Sequence, residues 1–358
     1  MSEVQVPNIG VFNSKNFNPQ VFGKYVDTIP RTKLNKLLTS GVLRPRPEIA
    51  AMFPEQTGGN YATVPITGRI GGEPAKFDGV QDMPVSGLDT YSQGMVVTGH
   101  MKGWRELDFT QSITGKDFMA DIASQISQYW DDFDQRTIIS VLTGVFGMTD
   151  TLSAPFIASH TTDISAETGS VTINGRPYAN NRFNETTLNT AVQKACGDNR
   201  AALSIVVMHS FVAMNLENLK LLTWLTNTDP NGMHSSPRFG MLNGLLVLID
   251  DSMPVINGNY TTYVLGNGAI HYANAGVRVP YSMDRNEERH GGIEMLYSRQ
   301  RKIFAPFGIS FEPNAMATLS PALSELEMGV NWKVVQNSGK SQTIDIKAIP
   351  IVRIISRG

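Results

Sequence analysis

The stretch Asn337 to Gln342, NSGKSQ, holds the Gly-Lys-Ser of a phosphate-binding loop, in which backbone amides and a lysine would cradle the phosphates of a nucleotide. That chemistry needs a further glycine five residues before Gly339, where Val334 stands, and a helix afterwards, where strand-forming residues follow. The stretch reads as a hairpin turn. The six histidines (His100, His160, His209, His234, His271 and His290) show no pair at helical or zinc-site spacing. His209 falls at a strand-to-helix turn, where a hydrolase would hold a base, but the chain has no Gly-x-Ser-x-Gly elbow. Cys196 closes an expected helix just before Gly197, where the helix dipole raises a thiol pKa instead of activating the sulfur. Asp131, Asp132 and Asp134 crowd one helical turn and point in different directions, which reads as a solvated face and not a metal site. GNGAIH lacks the strand, turn and helix of a dinucleotide fold. These residues give no catalytic, metal or cofactor site, and the reading is of a protein that is not an enzyme and has no cofactor.

The elements that would position any such residues are dominated by one helix. Between Thr114 and Gly147, Phe118, Ile122, Ile126, Tyr129 and Phe133 recur at intervals of three and four, giving one apolar stripe. Asp117, Asp121, Ser124, Gln128, Asp131, Asp132 and Gln135 fill the other face and read as solvated. Thr114 and Asp117 fit a capping box, and Gly144 and Gly147 supply the stop. Past Arg136, Ile138, Ile139, Leu142 and Phe146 occupy the formerly polar face, so the helix is expected to start on a surface and end in a core. Roughly 30 residues at about 1.5 Å each give a rod on the order of 45 Å long.

Composition sets the bounds. A chain of 358 residues, 41% apolar and 17% charged, has room for two domains or one core with large extensions. A formal net charge of -2 argues against a surface built wholly to grip nucleic acid. With a single cysteine, no signal-like start and no apolar run of membrane-spanning length, the reading is of a soluble protein made in a reducing compartment.

Up to Arg46 the chain has few periodic patterns, a short helix expected at Thr32 to Leu38, and seven basic residues against two acidic. Val11, Phe12, Phe17, Val21, Phe22 and Tyr25 are too apolar for a free tail and need a surface to lie on, in the same subunit or a neighbour. Two strand-like runs, YATVPITGRI and TYSQGMVVTGH, flank a Gly-, Pro- and Asp-rich connection that predicts an extended two-stranded loop projecting from the body. Loops with one short hairpin are expected from Asp150 to Arg182. A helix follows at Thr186 to Ala195, a buried strand at Leu203 to Met208, a helix capped by Ser210, and strands in GLLVLIDD and YTTYVLGNGAIHYA. This alternation predicts an α/β domain. Strands dominate from Gly292, with a short helix near Pro321 to Glu327, and Pro350 within the last apolar alternation suggests an edge strand there.

The order of parts resembles the major capsid (coat) protein of tailed bacteriophages. So do four stretches: Leu37 to Gly79, Gly115 to Gly147, Ile205 to Leu219 and Arg299 to Phe311. The resemblance implies an α+β fold, the tailed-phage capsid fold. Its parts would be an N-terminal arm (1–60), an extended β-hairpin loop with flanking strands (61–100), a peripheral domain (101–149 and 291–358) with a spine helix at 115–146, and an axial α/β domain (150–290). It implies self-assembly, through hexamers and pentamers, into an icosahedral shell around double-stranded DNA held without sequence specificity. The implied location is the virion capsid, assembled in the cytoplasm of the bacterial host, with no membrane partner.

Because the chain opens at its arm without a long helical leader, the resemblance implies either a separate scaffolding protein or a processed chain, of which Met1 favours the first, with a portal and a possible decoration protein as further partners. Glu73, Lys76, Phe77 and Asp78 at the loop tip, with Phe12, Phe17 and Phe22 in the arm, are the candidate intersubunit contacts. Some relatives form covalent lysine-to-asparagine links from this loop; for Lys76 ordinary solvated charge is the favoured reading. The alternatives are an encapsulin-type bacterial compartment shell of the same fold and, remotely, a hydrolase built on His209.

Overall fold

A computed structural model describes residues 41–53, 59–68, 74–77, 90–114, 118–173, 175–225, 239–337 and 339–358. Its contacts divide the described residues into two bodies, one of 101–130 and 279–299 and the other of 41–100, 131–278 and 300–358.

In chain order the first elements are β1 (Leu43–Pro45), α1 (Pro47–Ala50), β2 (Tyr61–Thr67), β3 (Thr90–Val96), β4 (Thr98–Leu107), α2 (Asp108–Thr114) and α3 (Phe118–Val145). Then come α4 (Ala154–His160), β5 (Thr161–Asp163), the hairpin β6 (Ser170–Ile173) and β7 (Arg176–Ala179), α5 (Thr187–Cys196), β8 (Leu203–Met208), α6 (Ser210–Asn218), β9 (Thr223–Leu225), β10 (Phe239–Leu242), β11 (Leu245–Ile249), β12 (Val255–Ile256), β13 (Asn259–Gly266) and β14 (Ile270–Asn274). The chain finishes with β15 (Tyr281–Asn286), β16 (Ile293–Pro306), β17 (Ile309–Phe311), α7 (Leu323–Leu326), β18 (Trp332–Val334), β19 (Gln336–Asn337) and β20 (Ile351–Ser356). Helices and sheets are thus mixed, as expected for an α+β fold. The expected helix at Thr32 to Leu38 and the Thr114–Asp117 capping box involve positions outside the described residues.

The larger body is organised by one mixed sheet, ordered β5-β20-β13-β8-β11-β10-β9, with β12 added beside β13. Alternation along its strands sends side chains to two cores. Ile205, Val207, Leu248, Tyr263, Leu265 and Ile351 join the C-terminal half of α3, whereas Val206, Met208, Val247, Val264, Val352 and Ile354 pack with α5 and α6. From Thr137 to Leu142 every residue of α3 is buried. Thr137 and Thr143 return their hydroxyls to the carbonyls of Phe133 and Ile139, both at 2.9 Å, which satisfies polar groups that this core would otherwise strand. Phe146 lies between Phe156 and Tyr263, with the Arg353 guanidinium 4.8 Å from its ring centre.

Three local expectations change. Asp134 and Gln135 are buried, at 3% and 8% exposure, so the acidic turn of α3 is not a solvated face. Asp134 takes Lys302 Nζ and, at 3.0 Å, Gln300 Nε2, while Gln135 donates to Asp250; these partners, far away in sequence, are what make burial possible. The strand after Pro350 is interior to the sheet, between β5 and β13, because it starts one residue beyond the proline, whose carbonyl accepts from Gly266 N. The cap of α6 is His209, whose Nδ1 accepts from Phe211 N at 3.1 Å, one residue before the expected Ser210.

The smaller body is built on the antiparallel pair β15–β16, registered from Tyr281↔Ser298 to Asn286↔Ile293. The N-terminal half of α3 meets it through Trp130, whose indole N–H donates to Ser298 Oγ at 2.8 Å.

Candidate assembly surfaces

The strands that flank the expected loop are both formed. β2 and β3 pair antiparallel from Tyr61↔Val96 to Thr67↔Thr90, so residues 68–89 close a hairpin. β19 adds to β3 through Gln336↔Ser92 and Asn337↔Tyr91. Gln93 is buried and donates to the carbonyls of Pro306 and Ile309, both at 2.8 Å. Gly94 donates its N–H to Ser310 Oγ at 2.7 Å, and a Cβ there would overlap Tyr61 Oη and the Phe311 carbonyl, so the base requires glycine. Of the candidate contact residues, Lys76 is exposed and the Phe77 ring is fully exposed. An aromatic ring held wholly in water gains free energy from any apolar cover. Glu73, Asp78, Phe12, Phe17 and Phe22 lie outside the described residues.

Two further surfaces expose large apolar side chains that pattern reading did not single out. In the smaller body β15 exposes Tyr281 and Met283 beside Arg285. That guanidinium holds Asp108 at 2.5 Å, Glu287 at 2.5 Å and Glu294 at 2.6 Å, and the carboxylates raise it above the usual arginine range. In the larger body Phe211, Met214, Val255 and Ile256 are exposed at one end of the central sheet. The Asn257-Gly258 pair flanked by strand residues was the signal available for this hairpin.

The groups that suggested chemistry have structural occupations. Burial pushes His160 and His271 down to about 4, and His100 is lowered for the same reason. His160 stacks on Phe156 with ring centres 4.4 Å apart, and His100 meets Phe133 edge-on at 4.5 Å. His234 lies outside the described residues. Cys196 is buried, and burial raises its thiol. In the Asn337–Gln342 turn the amides of Ser341 and Gln342 donate to Asn337 Oδ1, and that of Lys340 to the Asn337 carbonyl. The turn thus spends these three amides on itself and not on a phosphate. Among the described residues no group of three or more His, Cys, Asp or Glu side chains could hold a metal ion, and no helix is long and apolar enough to cross a membrane.

No family model matches the chain. It is 25% identical over 334 residues to the major capsid protein of Bacillus phage SPP1, covering 92% of this chain and 95% of that protein. In three dimensions it is similar to the head structure of Helicobacter pylori bacteriophage KHP40, with a TM-score of 0.53, 10% identity and coverage of 98% and 95% of the two chains. The cyanophage Pam1 capsid gives a TM-score of 0.52, 10% identity and coverage of 91% and 92%.

This is the tailed-phage capsid fold.

Within that capsid fold the surfaces described above have apolar area to cover.

Proposed function

We infer that this chain is a coat subunit, a structural protein that assembles with many copies of itself into the icosahedral shell of a tailed phage. The observation that carries the reading is the likeness to a phage major capsid protein along nearly the full length of both chains, joined to the capsid fold. The relative is a phage protein, which favours a virion shell over a bacterial compartment. Assembly from one kind of subunit needs surfaces that meet other copies, and exposed apolar groups such as Phe77 suit that need.

In this reading the loop bearing Glu73, Lys76, Phe77 and Asp78 and the arm bearing Phe12, Phe17 and Phe22 reach neighbouring subunits. The division into arm, loop, peripheral and axial parts is carried over as part of the proposal. A separate scaffolding protein, a portal and a possible decoration protein complete the partner set, assembly takes place in the host cytoplasm, and the shell meets packaged DNA through weak, sequence-independent contact with phosphate. Many weak contacts closing into one particle become collectively strong.

Electron microscopy and light scattering of the purified protein, alone and co-expressed with its neighbouring genes, test this. Closed shells of many copies are expected; a persistent monomer or dimer under every condition would overturn the reading. Within shells, deleting residues 71–89 is expected to lower yield and stability, and unchanged shells would remove the loop from the contact set.

A further inference from the structure

Resting on the coat-subunit reading, we propose that one end of the central sheet docks into the opposite end of the same sheet in a second copy. β8 runs between the two ends: Leu203 opens it and Met208 closes it, roughly 17 Å apart at about 3.3 Å per residue. β11 lies parallel to β8 and β13 antiparallel, so the register places Asp251 and the β12–β13 turn at the Met208 end, and Asn243 and Leu245 at the Leu203 end.

The Met208 end is a knob. Val255 pairs with Tyr260 and Ile256 with Asn259 across a two-residue turn in which Asn257 and Gly258 have φ of 53° and 77°. Both central residues are left-handed, the form that matches strand twist, so the turn is stiff and presents its flanking side chains in fixed positions. Ile256 is 65% exposed. On the other face of this ladder, which carries Val255 and Tyr260, Phe211 stacks on Tyr260 with ring centres 5.2 Å apart, and His209 meets the same ring at 5.0 Å. Asp251 stands at the rim, accepting from Ser210 N at 3.3 Å. The result is a rigid apolar projection with a carboxylate at its margin.

The Leu203 end is a hollow of about 260 Å³, floored by Leu188, Val192, Leu203 and Leu245. Its rim carries the exposed Arg200, whose Nη2 donates to Asn189 Oδ1 at 3.1 Å. Apolar projection matches apolar floor, and the acid at one rim matches the base at the other. Because knob and hollow lie at opposite ends of one sheet, each copy can engage two neighbours head to tail. Such a contact closes into a ring when the rotation between copies allows it. The complementarity selects a second copy of this chain as the occupant.

Two measurements on the full-length, assembling protein decide. Ile256→Asp alters an exposed side chain, so the subunit should fold with an unchanged circular-dichroism melt while shell yield falls about ten-fold or more, since the loss repeats at every contact. In parallel, Ile256→Cys is combined in turn with Asn189→Cys, Ala201→Cys and Asn243→Cys, the native Cys196 being buried. At least one pair is expected to form intermolecular disulfides in assembled shells, seen as a ladder on non-reducing gels, and Ile256→Cys alone is not. Wild-type yield from Ile256→Asp, or shells in which none of the pairs links, overturns the proposal and leaves the coat reading standing; a decoration or other protein would then be the knob's partner. If Ile256→Asp aggregates, the cysteine series decides alone. Failure of the unaltered chain to form shells at all overturns the coat reading, and this inference with it.

Discussion

From Phe118 to Trp130 the long helix α3 belongs to the smaller body, and Gln125 and Ser127 are exposed while Ile126 and Trp130 are buried. From Asp131 to Val145 it belongs to the larger body, and the unbroken buried run from Thr137 to Leu142 has no solvent side. One helix therefore follows two rules. In the first half, among the described side chains, the buried Ile126 and Trp130 stand four residues apart, on one side of the helix, as apolar spacing alone provides. In the second, polar residues are buried too: Thr137 is satisfied within the helix, but Asp134 depends on Lys302 and Gln300, Gln135 on Asp250 and Ser140 on Glu327, all supplied from elsewhere. The contrast teaches that enclosure needs more than apolar residues.

The contrast can be broken or sharpened by substitution. The largest effect is expected from Gly144→Ala, because a Cβ there would overlap the Leu326 carbonyl and the Trp332 indole; a loss of about 3 kcal/mol or more in urea unfolding is expected. Asp134→Asn leaves the Lys302 ammonium buried without its counter-charge, and about 3 kcal/mol should be lost, a loss that Leu at both positions would recover in large part.

Acid should act through the larger body as well. The unfolded chain protonates His160 and His271 below about 6.5, whereas the folded protein keeps both neutral down to about 4. The unfolded state then binds more protons across that window. Stability is thus full above the unfolded value and falls with pH toward about 4, by up to about 3 kcal/mol for each histidine, as the urea midpoint against pH would reveal. Replacing either histidine with Gln should flatten that slope.

In the first half of the helix the expected costs are smaller. Trp130→Phe loses the bond to Ser298 and should cost about 1 kcal/mol, whereas Gln125→Ala on the exposed side should stay within about 0.5 kcal/mol by the same measurement. Equal costs for Gln125→Ala and Gly144→Ala would abolish the distinction between the halves.

The same distinction explains what could be read from the sequence. The stripe of α3, the buried β8, the α5 stop at Gly197 and the turn at Asn337–Gln342 are local patterns, and each follows from spacing or from a residue's own conformational preference. Asp134 was not legible as buried, since Lys302 stands far along the chain and spacing cannot announce it. Pro350 misled because the rule against proline inside a sheet says nothing of a strand that begins one residue later. His209 as a cap escaped because the usual caps are oxygen-bearing side chains and Ser210 stood next to it. Among the candidate contacts, Phe77 proves fully exposed, while the exposed pair Val255 and Ile256 lay in a hairpin whose turn was overlooked.

The place of β20 in the central sheet bears on the timing of synthesis. It lies between β5 and β13, yet about 190 residues separate β5 from it in the chain. At ribosomal speeds on the order of 5–20 residues per second, β5 waits roughly 10–40 s for its partner to emerge. Until then neither of the two cores that β20 completes is closed. Closure of the sheet is thereby deferred until β20 has emerged, a consequence of strand order and not of any single contact.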